Sequence, residues 1–396
     1  MKKALLATFC FFYTSVVFSQ IIADHTVVDM YDDIPQYYLD KVKQMWLSYP
    51  GESHSEAVRI GMGLLEAIDP RYSVSVYNSG TPEAYTSDNL RVSSVAWGDV
   101  DTPTGWNYYP AGGGYGEEDW FMTSAAVSQT KSGISYSNSG GLSLSAFGFC
   151  WCWDGDVYNI SFTNLYIAAT QAYIDYCRAN GYNTKVFFTT GPVDTMTEGL
   201  GWFKHLQYEA IRDSISNDKT RILFDFADIL CYDDGSVTPN TRNWSGHIYP
   251  WITPTNYGDG SVAHMSNAGC LRLAKAMWWM LARMAGWDGG TGTVPVTSIS
   301  VTGAGGATTI SQDKSTLALT ATVLPTNATT KTVTWSIING TGQATINSSG
   351  VVTAVSNGTV TARATANDGS GIYGQMAITI SGQVIPVTGI TVTGAG

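Results

Sequence analysis

Two side chains that together could activate a hydroxyl group lie far apart in this sequence. Ser53 follows the apolar run VKQMWLSYPG and opens a segment whose apolar residues recur at helical spacing. A serine hydroxyl is a weak nucleophile at neutral pH and needs a base. His264 stands in a loop, DGSVAHMSN, just before another amphipathic segment. The pair predicts acyl transfer from an ester, with Ser53 as the nucleophile, His264 as the base and amides at the helix start holding the oxyanion.

Both residues also have an ordinary structural interpretation. Ser53 lies three residues before Glu56, which fits a capping box that satisfies the free amides of a helix start. His264 on its own would be an ordinary loop residue. The histidines show neither an HExxH motif nor another ligand spacing, so we expect no metal and no other cofactor. The residues themselves leave both interpretations open.

The front part of the chain alternates short apolar runs with helical patterns. Each apolar run ends in turn residues, as in TKVFFTTGPVD and TRILFDFADIL. This alternation predicts an α/β fold of three layers, α/β/α, with a parallel, flavodoxin-like sheet covered on both faces. Ligands of such sheets bind beyond the carboxyl ends of the strands. The segments expected at those ends are residues 51–55, 78–80, 151–154 and 190–194, joined late in the chain by His264.

The order of these segments resembles the SGNH (GDSL-type) hydrolases over residues 44–287. Gly-Glu-Ser at residues 51–53 stands where that family has Gly-Asp-Ser, YNSG stands in the place of its second block, and AHMSNAG resembles its last block. The resemblance implies that Ser53 is the nucleophile and His264 the base. It also implies that the amides of Ser53 and Gly80 form the oxyanion hole.

The chain departs from the family pattern at two positions. The asparagine of the third block, an oxyanion donor, is replaced by Trp153, whose ring N–H is a candidate donor, and Asn78 or Asn256 could substitute for it. Loss of one such donor typically lowers turnover by about 10²- to 10³-fold. The family has an aspartate three residues before the histidine, where this chain has Ser261. Asp259, five residues before the histidine, is the candidate acid of the site, and a Ser-His pair without an orienting acid is the alternative.

Aromatic side chains are numerous, with 13 Trp and 22 Tyr. Ring-rich segments at residues 105–121 and 244–257 could stack on sugar faces, so we expect the substrate to be an ester, such as an O-acetyl group, on a polysaccharide. Four residues are assigned to the substrate cleft: His54, Asp154, His247 and Trp251. One alternative is a catalytically decayed protein that binds glycans or adheres to surfaces, and another is a lipid or aryl esterase.

The N-terminus has the features of a secretory signal. Lys2 and Lys3 precede a short apolar run that ends at Ser19 and Gln20. We therefore expect residues 1–20 to be removed and the protein to be secreted or held at the cell surface. No later segment is apolar for long enough to insert into a membrane. The net charge of −11 argues against nucleic acid as a partner.

The cysteines do not suggest a disulfide framework. Of the six, Cys10 lies in the signal segment, and the remaining odd number leaves at least one thiol unpaired. Cys150 and Cys152 would point the same way on a strand, which places them poorly for bridging each other. We expect these residues to be core cysteines.

The composition changes near residue 290. Period-two runs rich in Thr, Val and Ala then alternate with turn residues, which predicts a β-sandwich. PVTSISVTGAG at residue 295 returns as PVTGITVTGAG at residue 386, so a second module begins there. The segment resembles bacterial immunoglobulin-like domains of group 2, which implies a spacer or adhesive role. The expected parts are a signal peptide at 1–20, an SGNH-like hydrolase domain at 21–290, an immunoglobulin-like domain at 291–384 and a truncated second repeat at 385–396.

Overall fold

The computed structural model describes most of the chain after the expected signal peptide. The described residues are 20–78, 86–98, 117–152, 160–194, 197–258, 264–290, 294–326, 328–384, 389, 391, 392 and 394. The signal peptide, apart from Gln20, and most of the expected second repeat lie outside them. The chain divides into two compact units, Met1–Gly289 and Gly290–Gly396. Among the described residues, no helix has both the length and the apolar character that crossing a membrane requires.

The front unit alternates strands and helices. Its strands are β1 Ile22–Ala23, β2 Trp46–Ser48, β3 Val74–Tyr77, β4 Leu90–Ser93, β5 Leu144–Phe147, β6 Lys185–Val186, β7 Phe188–Thr189, β8 Leu223–Phe224, β9 Thr241–Trp244 and β10 His247–Pro250. Its α-helices are α1 Gln36–Lys43, α2 Ser53–Ile68, α3 Glu117–Phe121, α4 Ser124–Ser139, α5 Ile160–Ala179, α6 Glu198–Ser216, α7 Phe226–Leu230 and α8 Asn267–Met284. Two 3₁₀ helices cover His25–Met30 and Pro70–Tyr72.

Apart from the antiparallel β9–β10 hairpin, the described strands of this unit pair in parallel. Five form a sheet in the order β3-β4-β2-β5-β6, and three form a sheet in the order β1-β8-β7. Only Phe187 separates β6 from β7, and its amide donates to the carbonyl of Phe147 at 3.0 Å. One extended segment therefore passes from the first sheet to the second. The central strand β2 lies between β4 and β5 and leads directly to Ser53.

The helices of the front unit form two groups. In one group, α2 packs on α8, which also contacts α1 and α7; in the other, α4 contacts α3 and α5, and α5 contacts α6. Both groups reach the strands, α2 and α8 at β3 and β8, and α4 and α5 at β5 and β6. A parallel sheet covered on both faces has strands without a polar side, and β2 is buried throughout.

The second unit is built only of strands and one 3₁₀ turn, Ala304–Gly306, within the described residues. Its strands are β11 Ser298–Gly303, β12 Thr309–Ile310, β13 Thr316–Leu324, β14 Val333–Asn339, β15 Gln343–Ile346, β16 Val351–Ser356, β17 Gly358–Ala366 and β18 Tyr373–Ile380. They form two four-stranded sheets, β11-β13-β16-β15 and β12-β18-β17-β14, in which every pair except β12–β18 is antiparallel. The predicted fold class is confirmed: helices with parallel sheets come first, and antiparallel sheets follow.

Candidate active site

Ser53 and His264 meet at the carboxyl end of the central strand. Oγ of Ser53 lies 2.7 Å from Nε2 of His264, and both residues are half-buried. Ser53 is the first residue of α2, whose N-cap is Glu52, and no side chain caps the helix. The capping-box interpretation of Ser53 is therefore wrong, because the hydroxyl turns to the imidazole instead of to the helix amides. The hydroxyl and the imidazole thus stand at the hydrogen-bonding distance that a nucleophile and its base require.

Gly51 makes the sharp entry to α2 possible. Its φ of 138° is a conformation that side chains disfavour, and a Cβ on it would lie 2.0 Å from the carbonyl oxygen of Cys150. The amide of Cys150 donates to the carbonyl of Pro50 at 2.9 Å. The turn after β2 is thus held against the turn after β5. Ser55 secures the corner by donating its hydroxyl to the carbonyls of Gly51 and Glu52.

His264 is held by backbone pairing on both sides of the loop that carries it. Its carbonyl accepts from the amide of Gly258 at 3.1 Å, and the amide of Ser266 donates to Asn256 at 3.0 Å. The hydroxyl of Ser266 then caps α8 by accepting from the amide of Gly269. His264 has a φ of 61°, which is uncommon for a residue other than glycine and persists where the surroundings enforce it. The imidazole is therefore placed by a strained backbone conformation that the surrounding fold maintains.

A second imidazole, that of His54, lies directly behind the first. The two rings stack with centroids 4.6 Å apart and planes inclined by 26°. Nδ1 of His54 is 3.1 Å from Sγ of Cys152, and Nε2 is 3.1 Å from Oδ2 of Asp194. Cys152 also lies 3.4 Å, sulfur to oxygen, from the hydroxyl of Ser53. His54 and Asp194 are fully buried, so this is an inner layer of the same site.

The electrostatic surroundings of His264 favour its neutral form. Burial lowers its pKa, the neighbouring His54 lowers the pKa further, and Asp194 opposes both by raising it. A histidine whose pKa lies below its usual range is neutral at neutral pH. It can then accept the proton of the Ser53 hydroxyl.

Three of these side chains could also hold a metal ion. Ligand atoms of His54, Cys152 and His264 all lie within 4.8 Å of one another, and imidazole and thiolate suit zinc or copper. The rings of the two histidines are nearly parallel, however, whereas ligands of a tetrahedral ion must point at a common centre. Nε2 of His264 is, moreover, directed at Ser53. The observed arrangement fits a hydrogen-bonded array better than a metal centre.

The predicted oxyanion donors and the predicted acid are only partly described. Four residues lie outside the described part of the chain: Gly80, Trp153, Asp154 and Asp259. Asn78 is exposed, and its side-chain oxygen accepts from Nε of Arg59 at 3.2 Å. Asn256 is fully buried and donates to the carbonyls of Leu230 and Tyr232. It anchors the loop before His264 instead of supplying an oxyanion donor.

Three residues assigned to the substrate cleft have different surroundings. His54 is wholly buried and contacts the inner layer, so the expectation that it faces the substrate needs correction. Trp251 is only 4% exposed and lies beneath the guanidinium of Arg242, 3.9 Å from the ring centroid. Its ring packs in the core and does not line an open cleft. His247 is exposed on β10, where its ring stacks on Trp202 with centroids 4.4 Å apart.

His247 belongs to a group of rings that we call the aromatic surface: Trp202 and Phe203 of α6, and Trp244 and His247 of the hairpin. Phe203 and Trp244 have ring centroids 5.6 Å apart, and Trp244 and His247 lie 6.3 Å apart and nearly parallel. All four rings are exposed or half-buried. Planar rings presented in this way are suited to stacking on sugars.

Sequence reasoning assigned His54 to the site but did not identify its partners in the inner layer, Cys152 and Asp194. Asp194 ends the segment TGPVD after β7 and was expected only as part of a strand end, and Cys152 was expected to be a core cysteine. The five cysteines of the described residues are all buried, as expected of core cysteines, and no disulfide joins them. Cys152 differs because it contacts Ser53 and His54. Lys204 of α6, also buried, donates to the carbonyl of Cys152 at 3.4 Å.

Comparison with known proteins finds a family match only within the second unit. No curated protein matches the chain. A solved structure described as a nucleoside hydrolase-related hypothetical protein from Saccharophagus degradans, associated with carbohydrate metabolism, is 11% identical over 92% of this chain and 100% of its own. Its TM-score is 0.19, so no argument rests on it. Residues 295–374 match the bacterial Ig-like domain of group 2, and their two antiparallel sheets agree with that match. This part of the chain is a bacterial Ig-like domain.

Proposed function

We propose that the front unit is an exported serine esterase of the SGNH type, which removes acyl groups such as acetyl from a polysaccharide. The observation that carries the proposal is the 2.7 Å contact between Oγ of Ser53 and Nε2 of His264. The contact lies at the carboxyl end of the central parallel strand, where sheets of this kind bind ligands. Both side chains are half-buried, so the pair is partly open to solvent.

The reaction follows from the positions of the two side chains. His264 takes the proton as Oγ of Ser53 attacks the ester carbonyl, and the first amides of α2 hold the developing oxyanion. His264 then protonates the leaving alcohol. Water, deprotonated by the same imidazole, releases the acid and restores Ser53. Gly80 is proposed as the second oxyanion donor, with Trp153 or Asn78 supplementing it.

The proposed acid of the site is Asp259, by resemblance to the family. Among the described carboxylates, Asp194 contacts His54, the ring stacked on His264. Its charge still raises the pKa of His264. It therefore stabilises the imidazolium that forms as the serine is deprotonated, through one intervening ring.

The choice of a polysaccharide ester rests on the aromatic surface. Its rings lie on α6 and on the β9–β10 hairpin, and the chain continues from that hairpin to Ile252, whose amide donates to the carbonyl of Val193, next to Asp194. The aromatic surface is thus joined by a short segment to the inner layer of the site. Export by a signal peptide, and a bacterial Ig-like domain acting as a spacer or adhesive module, fit a substrate outside the cell.

Labelling with a fluorophosphonate tests the proposal. The probe should label the wild-type chain at Ser53, and Ser53→Ala and His264→Gln should abolish labelling. Ser132→Ala, which removes an exposed hydroxyl from α4, should leave labelling unchanged. Absence of labelling together with retention on an immobilised polysaccharide would favour the non-catalytic glycan-binding alternative. Activity that rises with acyl length on simple esters would favour a lipid esterase.

A further inference from the structure

A thiol, an imidazole and a carboxylate are connected in series behind the Ser53–His264 pair. Sγ of Cys152 is 3.1 Å from Nδ1 of His54, and Nε2 of the same ring is 3.1 Å from Oδ2 of Asp194. Using both nitrogens of one imidazole in this way reproduces the order of nucleophile, base and orienting acid. The serine reaction proposed above does not use the thiol.

The groups around Cys152 include two kinds that favour a thiolate, an imidazole and an ammonium. Among the described residues, the titratable and charged groups that surround it come from three elements and one loop: His54 of α2, Asp194 after β7, Lys204 of α6 and, across the ring stack, His264. The carboxylate of Asp194 opposes ionisation of the thiol unless the His54 ring between them is protonated. The ammonium of Lys204 lies 3.4 Å from the carbonyl oxygen of Cys152. Neighbouring cations and a histidine partner are the features that lower the pKa of reactive cysteines.

We infer that Cys152, His54 and Asp194 form a second nucleophile array, in which the Cys152 thiolate, paired with the His54 imidazolium, attacks a carbonyl bound beside Ser53. Sγ of Cys152 and Oγ of Ser53 are 3.4 Å apart, so a carbonyl carbon within reach of one is near the other. The inference rests on the proposed function for its substrate class, an acyl ester. The ionisation of the thiol can be measured separately from the reaction of Ser53.

The covalent step needs no group beyond this array and water. The sulfur of Cys152 bonds to the carbonyl carbon, the bond from that carbon to the ester oxygen breaks, and the alcohol leaves with the proton of the His54 imidazolium. Water then attacks the thioester while His54 takes its proton. The acid is released, and the thiolate and imidazolium are restored.

Cys177 provides a matched comparison. It is as buried as Cys152, each being 3% exposed, but burial raises the pKa of its thiol to about 11. Burial likewise raises the pKa of Cys270 to about 12. Burial alone therefore keeps a thiol protonated in this fold. An ionised Cys152 would have to be stabilised by its contacts with His54 and Lys204.

The test measures the ultraviolet absorbance of thiolate in the full chain from mildly acidic to mildly alkaline pH. Subtracting the Cys152→Ser curve from the wild-type curve isolates Cys152 and requires no reagent to enter the site. We expect Cys152 to be a thiolate at neutral pH and to titrate at a lower pH than an ordinary thiol. The Cys177→Ser curve should not differ from the wild-type curve in this pH range. His54→Gln, which places a polar amide that can hydrogen-bond but cannot be protonated, should shift the titration to alkaline pH.

A second measurement tests nucleophilicity. Ser53→Ala exposed to p-nitrophenyl acetate should gain an acetyl group on Cys152 that neutral hydroxylamine removes, about tenfold or more faster than Ser53→Ala/His54→Gln. No thiolate at neutral pH, or a titration that His54→Gln leaves unchanged, would overturn the array. A thiolate that forms no acetyl adduct would overturn its nucleophilic role. If Ser53 is not labelled by a fluorophosphonate while the thiolate is present, the proposed function fails and the array stands.

Discussion

The imidazole rings of His54 and His264 lie face to face, with centroids 4.6 Å apart. The inner ring is fixed through both nitrogens, by Cys152 and Asp194, while the outer ring presents Nε2 to Ser53. The inner ring therefore gives the outer one a rigid surface to stack on and lowers its pKa. The position and the protonation of the proposed base both depend on a residue that solvent does not reach.

The pH dependence of ester cleavage should reveal this environment. Burial and His54 lower the pKa of His264, and only the neutral imidazole can accept the proton of Ser53. kcat/KM for p-nitrophenyl acetate should be constant near neutral pH. It should fall only as the pH drops through a value below the usual histidine pKa of about 6.5. A pH–rate profile whose acidic midpoint lies above that value would contradict the assignment of His264 as the base.

His54→Phe should move that midpoint in a defined direction. The substitution keeps an aromatic ring against His264 but removes the group whose charge lowers the pKa of His264. The acidic limb of the profile should therefore shift to higher pH, toward the ordinary histidine value. A shift to lower pH, in a variant whose circular dichroism is unchanged, would show that His54 does not act electrostatically on the base.

Gly51→Ala should be severely disruptive, because the new Cβ would lie 2.0 Å from the carbonyl oxygen of Cys150 and φ is 138°. We expect the free energy of unfolding to fall by about 2 to 4 kcal/mol and ester cleavage to be lost with it. Gly63→Ala is the matched control, since Gly63 lies in the same helix with no atom within 4 Å of an added Cβ. That change should raise the free energy of unfolding by up to about 1 kcal/mol. Equal effects of the two substitutions in urea denaturation would refute the role given to Gly51.

The elements of the fold were predictable from local pattern, and the inner layer of the site was not. Apolar runs and helical periodicity are patterns of residues that are close together in the sequence. The parallel sheet and the helix that begins at Ser53 could therefore be inferred from the sequence. The choice between a capping Ser53 and a reactive one is made by His264, 211 residues away. The motif around Ser53 alone therefore cannot show whether this serine caps the helix or reacts.

The inner layer combines residues that look ordinary one by one. Cys152 is small and apolar enough to pass for a core residue, and Asp194 ends a strand as many aspartates do. Only the folded chain shows that both bind one imidazole. The prediction for Trp251 was wrong for the opposite reason. A ring in an aromatic segment can line a cleft or pack in the core, and only the structure shows that the guanidinium of Arg242 lies over this one.

The two units should work and unfold separately. The hydrophobic core of the front unit extends no further than Trp287, and the cores of the second unit begin at Val296. A chain of residues 21–290 should therefore keep its kcat/KM for p-nitrophenyl acetate within about twofold and should unfold in one cooperative transition. Calorimetry of the full chain should contain that same transition. Loss of activity in the shorter chain would show that the bacterial Ig-like domain contributes to the site.

Trp244→Ala should lower the cleavage rate of a polysaccharide ester but not that of a small ester. Trp244 belongs to the aromatic surface and lies near Phe203 and His247, so its removal takes away a stacking platform without touching Ser53 or His264. Release of acetate from an acetylated polysaccharide should fall about fivefold, since one lost stacking contact is worth about 1 kcal/mol. Cleavage of p-nitrophenyl acetate should stay the same. Ile248→Ala, at an exposed aliphatic position of the same hairpin, should change neither rate, and an equal loss on both substrates in Trp244→Ala would instead mean that the hairpin supports the catalytic pair.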